Sequence, residues 1–229
     1  MFGFVLPVLA LFATTSSQAI PVTLSGNTVE YTFDDSLMGL FGTPSISGDT
    51  LFFTPVNFET QSLNGSGFAL ENETVNIKVS THTGYRFGSV NLIEKGDYLL
   101  LGPGSDVDVT GQIRVFDTAN PLMDITDGIT PLAPLNLTGI PTRNWEASAM
   151  VDMSSWTNTT EINITVQNLL LAVTTAPSSL AFVEKKFIGL STSVSPVPEV
   201  ETWAMMLAGV GLIGLQLRRS KRSSARIIR

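Results

Sequence analysis

The chain has 229 residues, a net charge of −7, an isoelectric point near 4.6 and no cysteine. Without cysteine there are no disulfides and no thiol catalysis. The negative charge argues against nucleic acid or other polyanions as partners. Charge is also uneven along the chain: the segment after residue 217 holds six of the 13 basic residues, and all but two of the 20 acidic ones lie before residue 196.

Residues 1–19 read as a signal peptide. Met1 to Ala13 is apolar, and Ser17-Gln18-Ala19 has the small-x-small pattern of cleavage after Ala19. No Lys or Arg precedes the apolar core, which leaves room for a start upstream of Met1.

Residues 20–190 read as β throughout. Val29, Tyr31 and Phe33 alternate with polar residues, as a half-buried strand requires. Thr50 to Thr54 reads as a second strand ended by Pro55, and Asn64-Gly65-Ser66-Gly67 as a turn cluster. Val75, Ile77 and Val79 alternate cleanly. Val90 to Ile93 and Tyr98 to Leu101 flank Glu94-Lys95-Gly96-Asp97, which reads as a hairpin connection. Val107, Val109, Ile113 and Val115 alternate around Gly111, read as a bulge. From Thr118 to Asn144 four prolines break the pattern; a loop of this length points to a hidden short strand or a functional loop. Alternation returns at Ala147 to Met153 and at Ile162, Ile164 and Val166. Leu180 to Val183 and Phe187 to Leu190 read as the last strand or hairpin, and 191–197 as a linker.

No amphipathic helix is evident in this body. Strand-length runs between Gly/Pro turns predict an all-β domain, an antiparallel β-sandwich of jelly-roll type, with a β-barrel as the alternative. To it the sequence adds an N-terminal signal helix and a C-terminal transmembrane helix.

The C-terminal stretch has three parts. Val197-Pro198-Glu199 is a turn that blocks a helix from running in, because Pro198 pushes Val197 toward extended geometry. Trp203 to Leu217 is apolar and uncharged, with a tryptophan suited to the membrane interface. Arg218, Arg219, Lys221 and Arg222 follow as a stop-transfer cluster that keeps the body on the outer side, and 223–229 forms a basic cytoplasmic tail. The apolar run spans roughly 22 Å as a helix, at about 1.5 Å per residue. A bilayer core is about 30 Å thick, so the run suits a transient anchor.

These residues resemble the PEP-CTERM sorting signal: Val197-Pro198-Glu199, then Trp203-Ala204-Met205-Met206-Leu207-Ala208-Gly209, Gly211-Leu212-Ile213-Gly214 and Arg218-Arg219. The resemblance covers about 196–222, with the sorting signal itself at 198–222, and Val200 stands where the motif has a second proline. It implies export, membrane retention and recognition by an exosortase, a membrane cysteine protease-transpeptidase of Gram-negative bacteria that also make exopolysaccharide. Parts of the body, such as Tyr31-Thr32-Phe33-Asp34-Asp35 and Ile93-Glu94-Lys95-Gly96-Asp97-Tyr98, are similar to bodies of PEP-CTERM proteins of unassigned function.

Catalytic signals are sparse. His82 is the only histidine, and no G-x-S-x-G elbow occurs, so it reads as an exposed turn residue. Zinc lacks ligands. Asp106, Asp108, Asp124 and Asp127, with Asp34-Asp35, are weak candidates for calcium, because none has the EF-hand spacing. Trp145 and Trp156 read as core residues, or as a platform that stacks a sugar ring. The sequence-level expectation is a cofactor-free, non-enzymatic surface or extracellular-matrix component, sorted by exosortase and the export machinery, with exopolysaccharide as its ligand. The alternatives are a secreted hydrolase using a carboxylate pair and a permanently membrane-anchored envelope protein.

Overall fold

A computed structural model describes residues 21–156, 159–197 and 204–214. Five short strands come first: β1 (Pro21–Ser25), β2 (Val29–Asp34), β3 (Ser45–Ser47), β4 (Thr50–Phe53) and β5 (Glu59–Leu63). Seven further strands follow: β6 (Gly67–Thr81), β7 (Tyr85–Leu101), β8 (Ser105–Asp117), β9 (Asp124–Pro131), β10 (Arg143–Asp152), β11 (Glu161–Thr174) and β12 (Leu180–Pro196). The 3-10 turns Asp35–Leu37 and Gly39–Phe41 lie between β2 and β3.

Alternation dictates these strands. Along β11 the even positions, Ile162, Ile164, Val166, Asn168, Leu170 and Ala172, are buried while the odd positions between them face outward. A period of two puts one face of each strand inside and leaves the other wet. All strand pairs are antiparallel, in the order β1-β2-β6-β11-β8-β9-β10-β7-β12-β4-β3, with β5 also on β12.

β9 is where the sheet folds over. Its first residues pair with β8, Ile125 against Val115 through Ile129 against Gly111. Its last two, Thr130 and Pro131, pair with Ser148 and Ala147 of β10. The far ends of the strand order then meet. Thr28 donates its backbone N–H and hydroxyl to the Asp49 carboxylate at 2.8 and 2.6 Å. The Tyr31 hydroxyl bonds the Asp49 carbonyl at 2.7 Å and the Thr192 hydroxyl at 2.8 Å. The result is a nearly closed, barrel-like antiparallel sheet. Its interior is packed with aromatic and branched side chains, including Phe41 with its ring 5.5 Å from that of Phe53.

The all-β antiparallel expectation holds, and several local readings are corrected. Residues 94–97 are not a hairpin connection: β7 runs unbroken from Tyr85 to Leu101. The polar run looked like a turn because Glu94 is an inward-facing polar residue. Residues 191–196 are not a linker, since β12 continues to Pro196 and pairs with β7 as far as Tyr85. Gly111 is not a bulge. The β8–β11 register passes through it unshifted, and a Cβ there would lie 2.1 Å from the Gln167 carbonyl. The long segment after Thr118 does contain a strand, β9.

A helix spans 204–214, within the expected 203–217 span. Among the described residues no helix is long and apolar enough to cross a membrane. The signal segment with Ala19, and Pro198, Glu199, Trp203, Arg218, Arg219, Lys221 and Arg222, lie outside the described residues.

Candidate functional site

Three polar side chains meet inside the barrel-like sheet. Glu94 occupies the inward position after Val90 and Leu92 on β7, and Asn168 the one between Val166 and Leu170 on β11. Lys185 follows Ala181 and Val183 on β12. The Lys185 Nζ donates to Glu94 Oε2 and to Asn168 Oδ1. The Lys185 and Glu94 side chains are 0% exposed, and Asn168 is equally buried.

A bulge aims the lysine. The β12–β7 register shifts between Lys185 and Phe187, so one extra residue changes which side chains face inward. Before it the odd positions 181, 183 and 185 are inside; after it Ile188, Leu190 and Thr192 are. The extra residue, Lys186, turns out to Asp97 at 2.8 Å and Glu184 at 3.3 Å.

Two glycines make room. Gly96 lies opposite both Lys185 and Trp145. A Cβ at Gly96 would be 1.9 Å from the Glu184 carbonyl and 2.7 Å from the Trp145 ring. The bare backbone lets the indole lie close, with its Nε1–H shared between the carbonyls of Glu184 (3.1 Å) and Asp97 (3.3 Å). Gly111 lies opposite Asn168, where a Cβ would be 3.2 Å from the asparagine Cα. Phe58 and Trp145 complete the enclosure, with ring centroids 5.1 and 5.9 Å from Nζ.

Burial holds the Lys185 amine below the ordinary lysine pKa, although the Glu94 charge and hydrogen bond pull the other way. Two atoms of the cluster are left over. Glu94 Oε1 and Asn168 Nδ2 are buried with no hydrogen-bond partner among the described residues. Such orphans are uncommon, because each costs about 1–3 kcal/mol of desolvation. The cluster therefore sets an amine, a carboxylate and a carboxamide in contact, away from water.

A second feature lies on the outer surface. Past Ser148, β9 leaves β10, and the ladder position at Met150 is filled by a side chain: its N–H donates to Asp127 Oδ2 at 2.8 Å. The resulting shallow groove of about 690 Å³ is lined by Asn91, Asp127, Thr130, Ser148 and Ser191, with Ile93 and Met150.

The four candidate calcium ligands are not brought together. Asp124 and Asp127 lie opposite Phe116 and Ile113, at least five residues along β8 from Asp108. Asp124 pairs with Arg114 at 2.9 Å, Asp127 caps Met150, and Asp106 accepts from the Val107 N–H at 3.0 Å. Asp34 caps its own turn through Ser36. Among the described residues no group of three or more His, Cys, Asp or Glu is arranged to hold a metal ion. The His82 Nε2 lies 3.9 Å from Glu30 at the surface. Trp145 and Trp156 are each 6% exposed, so neither is a sugar platform and the core reading stands. Val197, the first residue of the sorting motif, is exposed and donates its N–H to the Gly84 carbonyl at 2.7 Å.

Sequence reasoning missed Glu94, Asn168 and Lys185. For the first two the signal was present: each falls on the inward phase of an apolar alternation. Lys185 was hidden by the bulge, which breaks the period that would have placed it.

No family model matches the chain, and no curated protein matches it. Among solved structures it is similar to one of the infectious bursal disease virus Gx strain, at 13% identity and a TM-score of 0.30. That likeness covers 69% of this chain and 43% of the viral one. It is also similar to the enzymatically active domain of bacteriophage CBA120 tailspike protein 4, at 11% identity and a TM-score of 0.18. There the coverage is 73% of this chain and 18% of the tailspike, so the chain spans less than half the length of either protein.

Proposed function

We propose that the chain is an exported surface or extracellular-matrix component whose C-terminal signal is read and processed by an exosortase. One observation carries this reading: the ordered signal of Pro-Glu turn, apolar run and basic cluster begins one residue beyond the last strand. Val197 is exposed and bonds the Gly84 carbonyl, one residue beyond Pro196, the last paired residue of β12. A processing enzyme can engage such a segment without unfolding the body.

The body suits display outside the cell. It is acidic, free of cysteine, and keeps the Lys185–Glu94–Asn168 cluster sealed inside. We read the curled sheet as a jelly-roll sandwich. The strand order supports this, since β4-β12-β7-β10 and β6-β11-β8-β9 are consecutive sets of four in an order that folds over at β9, as two packed sheets would need. The groove at the β9–β10 separation offers amide, hydroxyl and carboxylate groups, the donors and acceptors that a polysaccharide strand requires. The body therefore acts by holding and binding rather than by turnover of an outside substrate.

The test is cell fractionation with and without the exosortase, combined with mass spectrometry of the mature C-terminus. Expected are surface or extracellular protein that ends before Arg218, and membrane-held precursor when the enzyme is missing. Protein that keeps Arg218 to Arg229 in both strains would defeat the reading.

A further inference from the structure

We propose that Lys185 and Asn168 become joined by an intramolecular isopeptide bond, made by the folded chain itself with Glu94 as the acid–base group. The inference stands on the buried cluster and does not depend on the export reading.

The Lys185 Nζ already touches Asn168 Oδ1, one covalent bond from the carbonyl carbon Cγ, and it touches Glu94 Oε2 at the same time. All three side chains are fixed by strand pairing and enclosed by Phe58 and Trp145. Fixing reactants in contact turns a bimolecular step into a unimolecular one. Burial favours the neutral amine, the form that attacks. The two orphaned atoms also gain a purpose. Asn168 Nδ2 is the leaving nitrogen, and Glu94 Oε1 is a second oxygen free to carry a proton.

The step balances without an oxidant or cofactor. Glu94 takes a proton from the lysine ammonium, and the freed electron pair forms the Nζ–Cγ bond. Glu94 protonates the carboxamide as the tetrahedral intermediate forms and takes a second proton from Nζ as it collapses. The Cγ–Nδ2 bond breaks. Of the three ammonium protons, one stays on the new amide nitrogen and one completes ammonia. The third ends on Glu94 or leaves with ammonia as ammonium. The product replaces a buried charge with a neutral amide, removing the desolvation cost of the lysine. It also ties β11, paired with β6 and β8, to β12, paired with β7 and β4.

The experiment uses the full chain, purified in the folded state. Cleavage after glutamate separates 162–184, which contains Asn168, from 185–199, which contains Lys185. The expected result is one joined peptide pair, lighter than the sum of its parts by about 17 Da, one ammonia, as acyl transfer to an amine requires. Reading the pair directly makes the result independent of processing at the N-terminus, and a cut among residues 197–199 would only shorten the second peptide. Lys185→Met and Asn168→Ala should lose the pair completely. Glu94→Gln, of nearly equal size, should lose most of it. Separate, unmodified peptides from folded wild-type protein would overturn the proposal without recourse to any variant. A bond joining Lys185 to Glu94, or full bond formation in a folded Glu94→Gln protein, would overturn the assigned roles.

Discussion

At the scale of single residues, much depends on where a side chain is missing. Gly96 is bare so that Trp145 can lie over it beside Lys185. Gly96→Ala places a methyl group 1.9 Å from a carbonyl oxygen that a paired strand holds in position. The expected cost is about 2–3 kcal/mol, typical of overpacking, read as a shift in the denaturant midpoint. Asp49 works in the opposite way, by collecting donors. Burial alone would raise its pKa, but hydrogen bonds from Thr28, Asn27 and Val29 prevail and leave it lowered. Asp117 is lowered too, chiefly by the Thr159 hydroxyl bond at 2.6 Å. A carboxylate with a depressed folded pKa stabilises the fold above its unfolded value. That contribution is lost as pH falls through the folded value. Acid should therefore loosen the seam that Asp49 closes. Asp49→Asn should cost about 1 kcal/mol at neutral pH, below the usual range for charged hydrogen bonds because the site is partly exposed. In acid the difference from wild type should shrink as pH falls through the lowered folded value. Urea midpoints at the two pH values check the sign.

At the scale of elements, the period of two made most of the fold legible. β2, β11, the second half of β6 and β10 from Ala147 onward follow directly from alternating apolar residues. Reading failed where a polar residue took an inward position or where a bulge changed phase. Glu94 made one long strand look like a hairpin, and the extra residue at Lys186 made another look like two pieces. β9 was obscured by the prolines around it and by Gly128, and only tertiary pairing with β8 identifies it. The candidate cluster was illegible for a deeper reason. Its members come from three strands, and Glu94 lies 91 residues from Lys185. No local pattern encodes a meeting of that kind. Removing the inserted residue Lys186 would test the element-level account directly. Deletion should swing Lys185 outward or force Ile188 and Leu190 to the surface, with a loss of several kcal/mol, as a one-residue slip of a half-buried strand implies. Thermal unfolding would show this as a marked fall in Tm.

At the scale of the molecule, a cysteine-free domain has no disulfide to resist unfolding. A bond between Asn168 and Lys185 supplies an equivalent, closing a loop of 17 residues. By the loop-entropy relation for cross-links, a closure of that size is worth about 3 kcal/mol. Lys185→Met should cost about 3–5 kcal/mol, because it removes the bond and leaves the Glu94 carboxylate buried without its cation. The same cross-link joins the two halves of the curled sheet at β12, the last strand in the chain order. Anchoring at the C-terminus would load β12 first, and the tie to β11 would pass that load into the core.

The most direct test of this account observes Lys185 in the intact folded protein by NMR, with lysine isotope-labelled at Nζ. The account predicts one side-chain nitrogen with the single proton and chemical shift of an amide, protected from exchange with solvent and missing from the Glu94→Gln variant. Ammonium or amine signals alone from every lysine of the folded wild-type chain would contradict it.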